Sequence, residues 1–362
     1  MRIATPADPP TTPFGVYLHV PFCAARCDYC AFATWTDRHH LQTAYLDACR
    51  RDIERHIGAG MPPATSVFVG GGTPSLVDPQ RLAGVLDAIP RAAAREVTVE
   101  CNPDTVTPRL LETYIGAGVN RISLGVQSMV GAVLRSLGRS HDPVNVRRAV
   151  AAVRGAGIST FNLDLIYGAA GESVDDWRRT LDAALALDPP HVSAYALTVE
   201  PGTALAADPH RHPDDDDQAE KYLVAAEALE AAGLGWYEIS NWARRGHECR
   251  HNQLYWSMGE YQAFGCAGHS HRDGRRYWNV HTPERYIDAI AGGRSPEAAG
   301  ERLDPAARRL EALQLAVRTR VGVPAAALPL HELDDLLTVQ GDRAVLTVRG
   351  RLLANDVALR LR

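Results

Sequence analysis

Three cysteines near the start of the chain have a spacing that suits metal chemistry. Cys23, Cys27 and Cys30 form a C-x3-C-x2-C pattern within one short segment. Three thiolates on one loop can hold three irons of a [4Fe–4S] cluster, which leaves the fourth iron without a protein ligand. A metal position open to an outside ligand is typical of a reactive site, whereas a fully ligated metal is more often structural. The spacing therefore predicts a cluster with one open iron.

Zinc is the alternative occupant of these thiolates. Structural zinc usually takes four tetrahedral ligands, commonly from two C-x2-C pairs. The chain has one such pair, Cys27 and Cys30, and no second C-x2-C pair occurs in the sequence. The four other cysteines, Cys49, Cys101, Cys249 and Cys266, are scattered, and the sequence assigns them no role. An odd total with three cysteines bunched argues against a disulfide framework and favours a reducing cytoplasm.

Length and composition limit the class of protein. The chain has 362 residues, 46% of them hydrophobic, and a formal net charge of −5. This length leaves room for one large domain and a small one. Without a basic excess there is no electrostatic reason to expect nucleic acid or an anionic membrane as a partner. No apolar run approaches the ~18 residues that span a bilayer, and the proline-rich N-terminus is too polar for a secretory signal.

Short apolar runs alternate with helical patterns over most of the chain. The predicted strands are Val16–Val20, Ser66–Val69, Val97–Glu100, Arg121–Val126, Phe161–Ile166, Val192–Val199 and Trp236–Ile239. The predicted helices are Leu41–Ile57, Pro79–Ile89, Pro108–Ala117, Pro143–Ala156, Ser173–Leu187 and Asp217–Ala232. Alternation with short turns indicates parallel βα units. About six such units predict an α/β fold with a partial (β/α)6 barrel.

We divide the chain into four parts on this pattern. Residues 1–14 are predicted to be a flexible N-terminus and residues 15–240 the barrel. Residues 241–295 are interpreted as a connecting segment, and residues 296–362 as a smaller, mainly helical C-terminal domain. A β-hairpin near residues 344–354 gives this last part a winged-helix-like pattern. Because there is no basic surplus, we interpret it as a cover or a dimer element, which leaves a homodimer open.

Glycine and polar residues follow the ends of the predicted strands. In a βα barrel the carboxyl ends of the strands form the active face, so these residues converge near the cysteines. S-adenosylmethionine can occupy an open iron through its amine and carboxylate, and one electron can then cleave its carbon–sulfur bond. Gly70–Gly72 allows the close backbone approach that a hydrogen bond to its ammonium needs. Glu100 and Asp164 are candidate acceptors for its ribose hydroxyls.

Three further side chains complete the predicted cofactor site. Gln127 and Arg139 could contact the sugar or the carboxylate of S-adenosylmethionine. Tyr29 lies between two of the cysteines and could pack on the adenine face. Such a site should exclude water, because radicals need protection.

The motifs together resemble the radical S-adenosylmethionine superfamily. Within it, the chain is similar to the oxygen-independent coproporphyrinogen III dehydrogenases and their paralogues, the HemW haem chaperones. The matching runs are 70–75 (GGGTPS), 100–104 (ECNPD), 120–128 (NRISLGVQS), 137–141 (LGRSH), 162–168 (NLDLIYG) and 189–193 (PPHVS). By matching position, the resemblance implies that Cys23, Cys27 and Cys30 ligate the cluster. The S-adenosylmethionine contacts that it implies are Tyr17, Tyr29, Gly71, Gly72, Thr73, Glu100, Gln127, Arg139 and Asp164.

Three features favour the chaperones over the dehydrogenases. The dehydrogenases have a fourth cysteine two residues after the third, where this chain has Phe32. They also have a long N-terminal extension, whereas 22 residues precede Cys23 here. Residues 251–256 (HNQLYW) resemble the H-N-x-x-Y-W motif that is associated with haem in the chaperones. His251 could ligate haem iron, while Tyr255 and Trp256 pack on the macrocycle, and Cys249 is a rival ligand.

Two functions remain open on this basis. The first is a cytoplasmic chaperone that carries haem as cargo, together with a [4Fe–4S] cluster and S-adenosylmethionine, and transfers the haem to an unidentified acceptor protein. Contact with a membrane would then arise through the acceptor. The second is a radical enzyme that decarboxylates the propionates of coproporphyrinogen III by means of a 5′-deoxyadenosyl radical. Whether the chain is an enzyme therefore stays open.

The chain departs from the group at two turns. Residues 168–171 read Gly-Ala-Ala-Gly where the group usually has Gly-Leu-Pro-Gly, so we expect a looser loop. Residues 267–270 read Ala-Gly-His-Ser where the group has Gly-Ala-His-Ser, so we expect altered geometry near His269.

Overall fold

A computed structural model describes residues 12–333 and 335–361. Most of the predicted N-terminal segment, residues 1–11, and the C-terminal Arg362 therefore lie outside the described residues. The strands are β1 (Phe14–Val20), β2 (Ala64–Gly71), β3 (Arg91–Cys101), β4 (Arg121–Gln127), β5 (Thr160–Tyr167), β6 (His191–Ala196), β7 (Gly235–Glu238), β8 (Asn241–Ala243), β9 (Glu260–Phe264), β10 (His269–Arg272), β11 (Arg275–Asn279), β12 (Glu297–Arg302), β13 (Val323–Pro324), β14 (Leu337–Gln340) and β15 (Arg343–Leu346).

The helices connect and cover these strands. They are α1 (Gln42–Gly58), α2 (Pro79–Ala88), α3 (Pro108–Gly116), α4 (Gly131–Ser136), α5 (Pro143–Gly155), α6 (Val174–Leu185), α7 (Asp215–Ala231), α8 (Arg250–Trp256), α9 (Pro283–Ala291), α10 (Pro305–Ala316), α11 (Val348–Leu352) and α12 (Ala354–Ala358). Several begin with a proline behind a capping side chain, such as Asp78 before α2 and Thr107 before α3. The side-chain oxygen satisfies backbone N–H groups of the first turn, and proline has no N–H to satisfy there.

The large sheet contains the predicted parallel strands in sequence order. Strands β1 to β6 lie side by side and are parallel throughout. Strand β9 adds to β1 in parallel, and β10, β11 and β12 continue from it as an antiparallel meander. On the other side, β8 and β7 extend the sheet from β6. Among the described strands the edges β12 and β7 do not pair, so the barrel stays open, as the partial (β/α)6 prediction requires.

Alternate residues of the central strands separate a core from a polar inner face. Apolar side chains such as Val16, Val67 and Leu163 are fully buried in one large cluster with the covering helices. The intervening positions carry polar side chains on β4 and β5, such as Ser123 and Asn162, which hydrogen-bond to each other. Because successive strand residues point to opposite faces, this alternation gives a cavity lining of polar groups inside the curved sheet.

The C-terminal residues contain a second, smaller core. Strands β13, β15 and β14 form an antiparallel sheet, and α10, α11 and α12 lie around it. The hairpin β14–β15 lies slightly before the predicted position, because residues 348–352 form α11. One bridge, Glu238 to Thr319, links this part to β7 of the large sheet. Among the described residues, no helix has the length and apolarity needed to cross a bilayer.

Candidate functional site

The three cysteines lie on the loop that follows the carboxyl end of β1. All three are half-buried and none forms a disulfide. The Cys23 N–H donates to the Trp35 carbonyl at 3.1 Å, and the Cys30 N–H donates to the Cys27 carbonyl at 3.2 Å. Burial raises the pKa of the Cys23 and Cys30 thiols, and the neighbouring cysteines raise it further. Metal coordination would displace these protons, since thiolates are the ligating form.

Arg139 places a positive charge against the loop. Its Nη1 donates to the Cys27 Sγ at 3.5 Å, and its Nη2 donates to the Gly125 carbonyl at 2.9 Å. Its Nε is buried and makes no hydrogen bond in the described residues. Within those residues, no group of three or more His, Cys, Asp or Glu side chains is arranged so that it could hold a metal ion. Cluster ligation by the three cysteines thus stays a prediction from their spacing.

The glycine run after β2 packs directly on the chain that leads into the loop. A Cβ on Gly72 would lie 2.7 Å from the Phe22 carbonyl oxygen, and the Gly72 N–H donates to the Val20 carbonyl at 2.8 Å. Gly71 has φ +110°, and a Cβ there would lie 2.4 Å from the His19 ring. Both positions therefore require glycine for close approach, and Gly71 also for its left-handed backbone. Thr73 Oγ1 then reaches the Cys23 Sγ at 3.8 Å.

Glu100 and Asp164 bring two acidic groups to the inner face of the sheet. Neither carboxylate forms an ion pair among the described residues, and Glu100 accepts the Gly71 N–H at 3.2 Å. Burial, with a smaller contribution from Asp164, raises the pKa of Glu100 to about 8. Burial also raises the pKa of Asp164. The charge of the buried Arg121 opposes this rise for Asp164. Two desolvated carboxyl groups outside any ion pair fit a cationic ligand, and so fit the sulfonium of S-adenosylmethionine.

Gln127 lies at an irregular position that the sequence pattern did not reveal. A bulge between Gly125 and Gln127 interrupts the pairing of β4 with β5, and Gln127 has φ +63°. A Cβ on Gly125 would lie 3.0 Å from Gln127 Nε2 and 3.4 Å from Arg139 Nη2. Gly125, a site residue that sequence reasoning missed, thus makes room for both side chains. A strained non-glycine residue at a strand end is typical of a ligand site.

The two predicted tyrosines have different surroundings. Tyr29 is partly buried against a small apolar cluster that includes Leu137 and Leu205. Tyr17 points into the inner face, where its hydroxyl is hydrogen-bonded to His19 Nδ1 at 3.1 Å. Its ring stacks on Phe68, with 6.4 Å between centroids. The predicted cofactor residues therefore lie on the cysteine loop, at the carboxyl ends of β2, β3 and β4, within β1 and β5, and, for Arg139, on the loop after α4.

A polar network on the inner face holds Asp164 in place. Ser123 Oγ donates to Asp164 Oδ2 at 2.8 Å, and Asn162 Nδ2 lies 2.7 Å from Asp164 Oδ1. The chain of hydrogen bonds continues through Ser193 and Asn241 to Glu238. Burial raises the pKa of Glu238 to about 7. Sequence reasoning missed this network, and the only signal was the recurrence of small polar residues at alternate strand positions.

The segment that carries the H-N-x-x-Y-W motif runs across the amino ends of the central strands. His247 meets β4 and β5, since its carbonyl accepts from Arg121 at 2.8 Å and its Nδ1 is hydrogen-bonded to Thr160 at 3.0 Å. Glu96 of β3 accepts the Arg250 N–H at 3.0 Å and the His251 N–H. We call residues 247–256 the closing segment, because it covers the amino end of the cavity.

The predicted haem residues lie inside this closing segment. His251 is 1% exposed, with Nδ1 hydrogen-bonded to Ser66 at 3.0 Å and Nε2 to Tyr255 at 2.7 Å. Burial lowers its pKa to about 3. Both nitrogens are thus engaged, and ligation of iron would require this helix to move. Cys249 is also buried, its Sγ lies against Glu96, and burial raises its pKa to about 12. A hydrogen bond from Trp256 lowers the pKa of Glu238 and so offsets part of the increase that burial causes.

The two sequence departures have local consequences. The loop at residues 168–171 is held by Glu172, whose Oε2 accepts the Gly168 N–H at 2.7 Å and the Ala169 N–H at 3.4 Å. The buried Lys221 lies 3.6 Å from that same carboxylate, so the loop is anchored without proline. In the other turn, Ala267 takes φ +53°, a left-handed conformation that glycine would adopt without strain.

Comparison with known proteins agrees with this geometry. The family model for the radical SAM superfamily matches residues 17–184. A Mycobacterium tuberculosis (strain H37Rv) protein called heme chaperone HemW is 44% identical over 368 residues, which cover 96% of this chain and 94% of that protein. The protein of the same name from Escherichia coli (strain K12) is 37% identical, covering 71% of this chain and 70% of its own length.

A solved structure has the same fold. The coproporphyrinogen III oxidase HemN of Escherichia coli, described as a radical SAM enzyme, superposes with a TM-score of 0.82 at 19% identity. The match covers 98% of this chain and 91% of that one, and at this identity it concerns the fold alone. The two HemW proteins identify the family more narrowly than HemN does, because they match this chain at higher identity over most of their length. The chain therefore belongs to the HemW family of the radical S-adenosylmethionine superfamily.

Proposed function

We propose that this protein is a haem chaperone that binds haem together with a [4Fe–4S] cluster and S-adenosylmethionine, and that passes the haem to an acceptor protein in the cytoplasm. The observation that carries the proposal is 44% identity, over nearly the whole chain, to a protein called heme chaperone HemW. The predicted cofactor residues also converge at one edge of the sheet. The predicted domain limits at residues 240 and 295 belong to the proposal.

The residues at the carboxyl edge fit the two cofactors. Cys23, Cys27 and Cys30 would ligate the cluster, and the Arg139 guanidinium would stabilise the thiolate of Cys27. When bound, the cluster with S-adenosylmethionine supplies one-electron chemistry at its open iron. Glu100 and Asp164, which form no ion pair among the described residues, would offset the positive charge of the sulfonium.

The fit is specific to the carboxyl edge of the sheet. Glycine at positions 71 and 72 keeps the strand end close to the cysteine loop, so that a ligand of the cluster also reaches Glu100. The closing segment would limit the access of water from the opposite end, where it is hydrogen-bonded to Arg121 and Glu96. Exclusion of water favours both charge complementarity and radical protection.

The dehydrogenase alternative gains no separate support from these contacts. Its fold is shared, but a likeness at 19% identity does not carry the activity. Phe32 stands where the dehydrogenases have their fourth cysteine, and it is 67% exposed. An exposed aromatic side chain beside the cysteine loop is available to a partner or a ligand.

One experiment separates the two functions. The protein is reconstituted anaerobically with iron and sulfide, supplied with S-adenosylmethionine and reductant, and offered haem or coproporphyrinogen III. We expect stoichiometric haem binding and no protoporphyrinogen. Formation of protoporphyrinogen over many turnovers would reject the chaperone function.

A ligand variant tests the cluster independently. We expect Cys30→Ser to lower the iron and sulfide content of the reconstituted protein to less than half. Cys101→Ser is the matched control, because Cys101 is a buried cysteine outside the C-x3-C-x2-C pattern and its Sγ donates to the Val99 carbonyl. Equal iron content in both variants would contradict the assignment of the loop, and zinc in place of iron and sulfide would overturn it.

A further inference from the structure

An aromatic wall leads from the cofactor site to the sheet extension. The ring of Tyr17 stacks on His251, which contacts Tyr255, which in turn contacts Tyr261, with centroid separations of 6.4, 4.7 and 4.6 Å. Tyr261 then lies 6.2 Å from His271 on β10. After the Tyr17–His251 stack the rings meet edge to face, with 76° and 70° between their planes, so the row is an apolar surface with edges and faces exposed in turn.

Strand register places His269 on the same face as this wall. Tyr17 pairs with Ala263 across β1 and β9, and Tyr261 pairs with His271 across β9 and β10. Paired residues point to the same side, and so do residues two apart along a strand. His269 is two residues from His271, so its side chain is on the inner face. His269 is the first residue of β10, and the turn of residues 265–268 joins it to the carboxyl end of β9.

The turn between β9 and β10 determines where His269 lies along the strand direction. A Cβ on Gly265 would lie 2.7 Å from the His19 carbonyl oxygen, so the turn lies against the end of β1. The cysteine loop begins at that same end. His269 therefore lies at the open mouth of the cavity, on the side of the predicted cluster, while His251 lies at the closed end.

The imidazole of His269 is exposed and oriented. Neither of its ring nitrogens makes a hydrogen bond within residues 12–333 and 335–361, and the side chain is exposed. The ring stacks on Trp278, its partner across β10 and β11, with centroids 5.6 Å apart and an angle of 23° between the planes. Stacking fixes the ring plane and leaves its nitrogens at the edge, accessible to a metal.

Other histidines of the inner face are not available in this way. Both nitrogens of His19, His191 and His251 are hydrogen-bonded inside the protein. His271 uses its Nδ1 on the Gly259 carbonyl and is 5% exposed.

We propose that His269, held by Trp278, is the axial ligand of the haem iron, and that haem binds at the open mouth of the cavity beside the cysteine loop. The inference rests on the proposed haem-binding function and names its iron ligand. Histidine nitrogen is a common proximal ligand of haem iron, and the Trp278 ring beside His269 offers apolar contact to the macrocycle. The closing segment then has a structural role, because it holds Tyr255 and His251 beneath the site.

The test is a haem titration of the full-length reconstituted protein, followed by absorption and electron paramagnetic resonance. The variants are His269→Ala and the matched control His281→Ala, since His281 is also exposed near this edge but packs edge-on against Trp35. We expect His269→Ala to lose the histidine-ligated spectrum and to bind haem at least tenfold more weakly, while His281→Ala keeps both. Free imidazole added to His269→Ala should restore the spectrum.

Three results would count against parts of this account. Failure of the unmodified protein to bind haem would overturn the proposed function and the ligand with it. Haem binding with an unchanged spectrum in His269→Ala would overturn the ligand alone. Loss of the spectrum in His269→Ala without rescue by imidazole, in a protein that keeps its affinity for S-adenosylmethionine, would also overturn direct ligation.

Discussion

The pKa of Glu100 makes the affinity for S-adenosylmethionine depend on pH. With a pKa of about 8, this carboxyl group is protonated in about nine-tenths of the unliganded protein at pH 7. A bound sulfonium favours the ionised carboxylate, so binding releases a proton and affinity increases with pH. If the pKa falls well below 6 in the complex, Kd rises about tenfold between pH 7 and pH 6, or about 1.4 kcal/mol.

Equilibrium dialysis of the anaerobically reconstituted protein measures this dependence. S-adenosylhomocysteine has the same amine and carboxylate but no sulfonium charge, so its Kd should change less over the same range. Glu100→Gln should abolish the difference in the pH dependence of Kd between S-adenosylmethionine and S-adenosylhomocysteine. Glu112→Gln is the matched control, because Glu112 is exposed on α3. A wild-type Kd for S-adenosylmethionine that is flat between pH 6 and pH 8, or an unchanged slope in Glu100→Gln, would refute the reasoning.

Further predictions concern stability, measured by urea unfolding with circular dichroism. Gly71→Ala should destabilise the protein by more than about 2 kcal/mol, whereas Gly60→Ala, also at positive φ but with nothing within 4 Å of its Cβ, should cost about 1 kcal/mol; equal costs would contradict the close-approach argument. Lys221→Met should cost about 3 kcal/mol, and less at acidic pH, because it leaves the Glu172 carboxylate buried without a counter-charge; a neutral effect would show that the pair contributes nothing. Ala267→Gly should raise the free energy of unfolding by up to about 1 kcal/mol, and a loss would show that the positive φ is not strained.

Local patterns were sufficient to predict the central strands and helices. Each βα unit has its own apolar run, its own capping residues and a short turn, so its signal lies within about twenty residues. The meander of β9 to β12 was not predicted. Strand β9 is stabilised by pairing with β1, more than two hundred residues away, and its run contains Gln262 among aromatic and small residues. A strand whose partners are distant leaves little signal in its own sequence.

The candidate site was predicted unevenly for a related reason. The sequence pattern proposed Glu100, Asp164 and Arg139 as site residues: Glu100 lies at the end of β3, Asp164 lies within β5, and Arg139 lies on the loop after α4. It could not identify the hydrogen bond that engages His251 Nδ1, since the partner Ser66 lies 185 positions earlier. Nor could it reveal the bulge at Gln127, which depends on how two neighbouring strands are registered.

The closing segment also bears on where a bound molecule can enter and leave the protein. Residues 247–256 are hydrogen-bonded to β2, β3, β4 and β5 at the amino end of the cavity. A guest of the cavity would then enter and leave at the carboxyl end. An acceptor protein would therefore have to bind at the carboxyl edge that carries the cysteine loop. Haem transfer and the chemistry of the cluster would then require access to the same surface.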